Sequence, residues 1–286
     1  MVLTALVAAA VSYALLPREP VYQGKKLSLW LDELRHDLPK EDHRTAEEAV
    51  RKIGTKALPY LFQMIRQPEQ IETKVRSLKV RMKRLVGLDS SYDLALSFAS
   101  EAERYLTVII AFRALGPIAE PALPELTNLL QNTDTSFIAA SALAGIGPAA
   151  LPPLTNALQN SDLKIRADAA GAVGFLGADA LPALPGLLSC LRDDDKRVRL
   201  NAASSLGEVG RVKPEAVVPA LLNTLRNTNT AVRVVTAEAL GKIGGEAKAA
   251  VPALVELLRD GDSRVRLAAT NAMRQIDPQS TAISLE

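Results

Sequence analysis

Residues 185–210 read PGLLSCLRDDDKRVRLNAASSLGEVG, residues 219–244 read PALLNTLRNTNTAVRVVTAEALGKIG, and residues 252–277 read PALVELLRDGDSRVRLAATNAMRQID. Each stretch opens with a proline and two leucines four apart: Pro185, Leu187 and Leu191; Pro219, Leu221 and Leu225; Pro252, Leu254 and Leu258. Proline is tolerated in the first turn of a helix, where its missing N–H has no partner to lose, and leucines at i and i+4 lie on one helical face. A polar turn follows, ending in Asp195, Asn229 or Asp262, short acceptors suited to capping the next helix. That second helix is apolar at every fourth place, as in Val198, Ala202 and Leu206 or Val265, Ala269 and Met273. It closes on Gly210 or Gly244, with Asp277 in the same place in the last stretch; glycine is the favoured residue just past a helix end.

The pattern extends toward the N-terminus. Prolines 124, 152, 185, 219 and 252 are spaced 28, 33, 34 and 33 residues apart, and Pro59, Leu61 and Ile65 give an earlier copy. The closing glycines 54, 116, 147, 177, 210 and 244 are spaced 62, 31, 30, 33 and 34 apart, the first gap being twice 31. Each unit therefore reads as two antiparallel helices, A then B. A pair this small cannot cover both of its apolar faces, so neighbouring units must stack. Two units depart from the rule. In residues 27–54, Ser28, Trp30 and Leu34 stand in the proline and leucine places, as suits a terminal cap. In the next unit an insertion of about residues 67–92 separates helix A from helix B, which resumes near Leu94 and runs to Leu115.

The 286 residues carry 34 Lys plus Arg against 32 Asp plus Glu, a net charge of +2 that disfavours a dedicated nucleic-acid binder. One cysteine, Cys190, excludes an internal disulfide and a cysteine-based metal cluster. The apolar content is mainly Ala, Leu and Val, which favours helices.

The helix A proline, the turn acid and the Val-Arg type opening of helix B (Asp162 to Arg166, Asp195 to Arg199, Asn229 to Arg233, Asp262 to Arg266) resemble the HEAT-repeat family, including its bacterial phycobilin-lyase-like branch. The resemblance spans residues 27–277. It implies an all-α, right-handed α-solenoid of about seven HEAT-like helix pairs, with B helices lining a concave face. On that face the non-core residues would be Asp168, Gly171 and Phe175; Asn201, Ser204 and Glu208; Val235, Glu238 and Lys242; and Ala268, Asn271 and Gln275. Such a lining, mixed in charge and lightly apolar, suits a protein or peptide.

The expected organisation is a hydrophobic signal or anchor over 1–16, a linker over 17–26, the solenoid over 27–277 and a tail over 278–286. Val2 to Leu16 is uncharged and apolar; a helix of that length spans about 24 Å, short of a bilayer core of roughly 30 Å. No Lys or Arg precedes the run, whereas Arg18, Lys25 and Lys26 follow it. The readings are an exported or membrane-tethered bacterial envelope protein, as in membrane-attached HEAT proteins, or a buried cap helix in a cytoplasmic one.

The insertion concentrates Lys74, Arg76, Lys79, Arg81, Lys83 and Arg84 against Glu72, with Ile71, Val75, Leu78, Met82 and Leu85 along one seam. It reads either as a helix docked with its charges in water or as a basic amphipathic helix for an anionic membrane or an acidic partner. The arginines at 166, 199, 233 and 266 could form a phosphate track, but their fixed spacing from the turn acids points to bonds within the array. Between residues 106 and 286 only Phe112, Phe137 and Phe175 could stack on bases. His36 and His43, with Asp37, Glu41 and Asp42, flank a turn without helical ligand spacing, and no phosphate loop or nucleophile motif occurs. The expectation is a monomeric, non-enzymatic interaction scaffold without cofactor or metal. The alternatives are a lyase-like enzyme of the phycobilin branch, or a membrane or nucleic-acid binder through the insertion.

Overall fold

The computed structural model describes residues 18–35, 40–66 and 101–278, and the chain divides into two compact units, 1–122 and 123–286. Segment 1–16, insertion 67–92 and residues 279–286 of the tail lie outside the described residues.

Among its described residues, the first unit holds a hairpin, β1 (Val21–Tyr22) and β2 (Lys25–Lys26), and helices α1 (Leu27–Arg35), α2 (Lys40–Ile53), α3 (Leu58–Arg66) and α4 (Glu101–Leu115). Within the segment expected as a linker, residues 21–26 form this hairpin. Gln23 and Gly24 both take positive φ, 50° and 75°, the two-residue turn whose twist matches that of the strands it joins. Trp30 anchors the hairpin: its Nε1 donates to the Tyr22 carbonyl at 3.3 Å, and the Lys25 ammonium, paired with Glu33, lies 4.0 Å from the ring centroid. The Glu19 carboxylate accepts the Ser28 N–H at the start of α1. The α1 core residues are Leu27, Trp30 and Leu31; Leu34, expected inward, is half-buried. Helix α1 packs on α2 and α4, whose core residues are Ala46, Ala49, Val50 and Ile53 and Val108, Ala111 and Phe112. Arg51 Nε donates to the Ala114 carbonyl at 3.1 Å, tying α2 to the end of α4.

Among its described residues, the second unit is five helix pairs: α5 (Leu123–Leu130) with α6 (Ser136–Ile146); α7 (Leu151–Ala157) with α8 (Leu163–Val173); α9 (Leu184–Cys190) with α10 (Lys196–Val212); α11 (Pro214–Thr224) with α12 (Thr230–Ile243); and α13 (Val251–Leu257) with α14 (Ser263–Ile276). The leucine two residues after the repeat proline of each helix A, at 126, 154, 187, 221 and 254, is fully buried. Each burial stabilises by about 1.5–3 kcal/mol. The second helices, α6, α8, α10, α12 and α14, pack successively on one another. Asp162, Asp195, Asn229 and Asp262 cap α8, α10, α12 and α14 through side-chain acceptors, as the turn sequences predict.

Two expectations are corrected in α10 and α11. Gly210 does not end its helix: α10 continues to Val212, and a Cβ on Gly210 would stand 2.4 Å from Ile243 Cδ1, so this glycine serves close packing. The other closing glycines, 54, 116, 147, 177 and 244, do take positive φ. Pro219 lies inside α11 rather than in its opening turn, because Pro214 starts the helix five residues earlier.

Candidate functional site: the exposed face of the second helices

The arginine ladder belongs to the fold. Arg166 grips Asp193 of the next pair with two bonds, Nε to Oδ2 at 2.7 Å and Nη2 to Oδ1 at 3.0 Å, and its Nη1 donates to the Asn160 and Ser161 carbonyls, each at 2.9 Å. Arg233 repeats this with Asp260 at 2.8 and 2.9 Å and with the Asn227 and Thr228 carbonyls, each at 3.0 Å. These bidentate bonds hold the Asp193 and Asp260 carboxyls below the usual carboxylate range. Arg199 keeps only its own turn carbonyls, of Asp193 and Asp194, because the next turn offers Asn227.

The predicted partner-binding residues divide by what already holds them. Asp168 is half-buried and accepts the Ser136 hydroxyl at 2.5 Å, linking α8 to α6; burial raises its pKa although that hydrogen bond opposes the shift. Asn201 Nδ2 donates to the Ala167 carbonyl at 2.8 Å, linking α10 to α8. Phe175 is 79% exposed in the 3-10 segment after α8, and Asn271 and Gln275 are exposed on α14. Val235 and Ala268, expected on this face, are buried between helices.

Four residues do converge. Lys242 of α12 lies across Gly207 of α10, where a Cβ would come within 2.7 Å of the lysine stem. Its ammonium donates to Ser204 Oγ at 2.6 Å and pairs with Glu208 at 3.1 Å. Beside it, Leu200, Ala203, Ser204, Glu238, Ala239 and Lys242 line a depression of about 180 Å³. Desolvation raises the pKa of the Glu238 carboxyl even though the side chain keeps an exposed edge.

Sequence reasoning missed Leu200 and Leu267, which are 39% and 61% exposed, and the half-buried Val234 at the equivalent place. All three stand five residues after the capping residue, whereas Asn201, Val235 and Ala268 stand six after it. One residue rotates a helix by about 100°, so choosing the sixth place turned part of the face inward. The recurring Leu-Val-Leu at the fifth place was the available signal.

The basic residues Lys74, Arg76, Lys79, Arg81, Lys83 and Arg84 and the histidine at 36 lie outside the described residues. Among the described residues, no group of three or more His, Cys, Asp or Glu has a metal-binding arrangement.

The HEAT repeats family matches residues 184–274, and the PBS lyase HEAT-like repeat matches residues 137–160. No curated protein matches the chain. Among solved structures, the complex of CpcE and CpcF of phycocyanin lyase from Nostoc sp. PCC7120 is similar at 22% identity and a TM-score of 0.44, over 54% of this chain and 98% of that one. A designed armadillo repeat protein in complex with the peptide (KR)4 is similar at 16% identity and 0.42, over 77% and 99%. A chain of the Kap95p structure with RanGDP is similar at 12% identity and 0.45, over 90% and 38%. Residues 137–160 and 184–274 are thus HEAT repeats, stacked as an all-α solenoid.

Proposed function

We propose that the protein is a non-enzymatic scaffold that holds a protein or peptide partner on the exposed face of α8, α10, α12 and α14. The observation that carries this reading is the row Leu200, Val234 and Leu267 beside the polar row Ser204, Glu238 and Asn271. Apolar contact points framed by polar groups are the composition of a non-obligate protein interface, and the small depression between α10 and α12 fits one side chain of such a partner. Leu200→Asp with Leu267→Asp tests it by affinity capture from the source cells. Both leucines are exposed, so the fold is retained while the captured protein is lost. Undiminished capture refutes the reading, and a tetrapyrrole-type small molecule recovered without any protein replaces it with the lyase-like one.

The proposal extends to location: residues 1–16 export the scaffold or tether it to a membrane, with residues 74–84 contacting anionic lipid or an acidic partner. Membrane fractionation of the full chain, with Lys79, Arg81, Lys83 and Arg84 replaced by Gln in a second sample, checks both parts. A protein recovered only in the soluble fraction with Met1 intact ends the tethering idea.

A further inference from the structure

We propose that the joint between α10 and α12 is a hinge, free at the turns and held at the far ends of the helices, whose swing sets the width of the depression between them. The hinge follows from contacts within the second unit; its use rests on the function proposed above, which places a partner side chain in that depression. Elsewhere in the second unit side chains tie each turn to the next. Asn160 Nδ2 donates to Gln131 Oε1 at 2.9 Å and Lys164 to the Thr133 carbonyl, Arg166 clasps Asp193, and Arg233 clasps Asp260. Between the turn at 193–195 and the turn at 227–229 there is no hydrogen bond or ion pair among the described residues. Arg199 keeps Nη1 on its own Asp193 and Asp194 carbonyls, its Nε is buried without a partner, and Asn227 turns Oδ1 to the Asn229 N–H. A bidentate pair fixes direction as well as distance, whereas apolar packing is non-directional. The two helices still pack on each other, so the joint bends rather than parts.

The opposite ends are held. Short 3-10 segments, Pro148–Ala150, Gly174–Ala183 and Gly244–Ala250, lead into α7, α9 and α13. Helix α11 instead follows α10 after Lys213 alone, whose N–H donates to the Val209 carbonyl at 2.8 Å. A Cβ on Gly210 would collide with Ile243 of α12 and crowd Val217 of α11, so three helices meet there at a fixed spacing. Between the held end and the free end, the polar ties among the described residues run from Lys242 to Ser204 and Glu208. The Lys242 and Glu208 side chains are 37% and 44% exposed, too open to solvent for an ion pair to lock the joint. Leu200, Ala203 and Ser204 stand on α10 and Glu238, Ala239 and Lys242 on α12, so they form opposite walls of the depression, and a swing about Gly210 spreads or closes them. The hinge thus lets one face admit partner side chains of different bulk.

The test uses the full-length chain with Cys190→Ala and nitroxide pairs on exposed turn residues: Ser161→Cys with Asp194→Cys, Asp194→Cys with Thr228→Cys, and Thr228→Cys with Gly261→Cys. Each position stands one residue before a cap, so the pairs report the α8–α10, α10–α12 and α12–α14 joints in one register. Dipolar broadening of the frozen-solution EPR spectrum gives each distance distribution. The 194–228 distribution should be about twice as wide as the other two, and Asn227→Asp should narrow it to their width by supplying the missing clasp. A Leu200→Cys, Val234→Cys pair across the depression should narrow with it. Asp193→Asn gives the α8–α10 joint the amide that Asn227 gives the α10–α12 joint; it should widen the 161–194 distribution, and it keeps the test decisive where Asn227→Asp disturbs the turn. Equal widths at the three joints overturn the hinge. So does a 194–228 width unmoved by Asn227→Asp, a 161–194 width unmoved by Asp193→Asn, or a 200–234 width that does not follow the 194–228 width. Undiminished partner capture by Leu200→Asp with Leu267→Asp, beside the expected widths, ends the functional reading and leaves the hinge standing.

Discussion

Asn227→Asp should stabilise this protein by completing a clasp that the repeat leaves open. Asn227 occupies the place of Asp193 and Asp260: its Oδ1 accepts the Asn229 N–H at 2.8 Å, as theirs accept Asp195 and Asp262 at 2.9 and 3.0 Å. The substitution preserves that turn and places a second carboxylate oxygen toward Arg199. The gap is specific: Arg199 Nε is buried without a hydrogen-bond partner, whereas the same atom in Arg166 and Arg233 donates to a carboxylate. An unsatisfied buried donor costs about 1–3 kcal/mol. Because the paired carboxylates keep 11% side-chain exposure, solvent screening places the expected gain in the lower part of that range, about 1–2 kcal/mol. For a unit of this size the Tm should rise by about 2–6 °C. Circular dichroism melts at pH 7 measure it, and the double-mutant cycle with Arg199→Met assigns it to the pair. A neutral or negative effect, or a gain that persists with Met at 199, refutes the clasp as an energetic unit.

Other outcomes follow from the same contacts. Asp193→Asn and Asp260→Asn should each lower stability by about 1–3 kcal/mol in urea titrations, because a half-buried guanidinium loses one of its two acceptor oxygens and the opposing charge. On pH, the folded pKa values of Asp193 and Asp260 lie below the unfolded value of about 3.9, so their stabilisation is present above that pH and lost as pH falls through the folded values. Asp168 runs the other way, since burial raises its folded pKa and its penalty at neutral pH is relieved on protonation; Ser136→Ala should raise that pKa further, as a carboxyl NMR titration would show. Gly174→Ala should cost about 1–3 kcal/mol because the new Cβ meets the Ser205 backbone, and Gly207→Ala should cost a similar amount, since it meets Lys242 at its Cβ, 2.8 Å away, which cannot move without its helix. Cys190 is buried and its thiol is pushed up to about 11, so iodoacetamide at pH 8 should label native protein roughly 100-fold more slowly than urea-unfolded protein.

The repeat was legible because each of its parts follows from a local rule: proline at a helix start, a short acceptor at the next cap, glycine at a positive-φ stop. Those rules failed where a neighbour overrode them. Gly210 carries the stop residue but sits under Ile243, so its lack of a side chain serves packing while the helix runs on to Val212. The hairpin at 21–26 was hidden because a two-residue strand has no periodicity, and only the tie to Trp30 fixes it.

The face shows the limit of periodicity more sharply. Four residues per step identifies a stripe, yet the angular choice between the fifth and sixth places after the cap depends on how closely adjacent helices approach. That approach is set by the glycines at the twelfth place. Where Gly174 and Gly241 let the next helix come within van der Waals contact of the backbone, the sixth-place residues Asn201 and Ala268 on that incoming helix are drawn toward its neighbour, Asn201 to donate to Ala167 and Ala268 to be buried. The fifth place is left to solvent as Leu200 and Leu267. The exposed leucines and the spacing glycines are therefore one design.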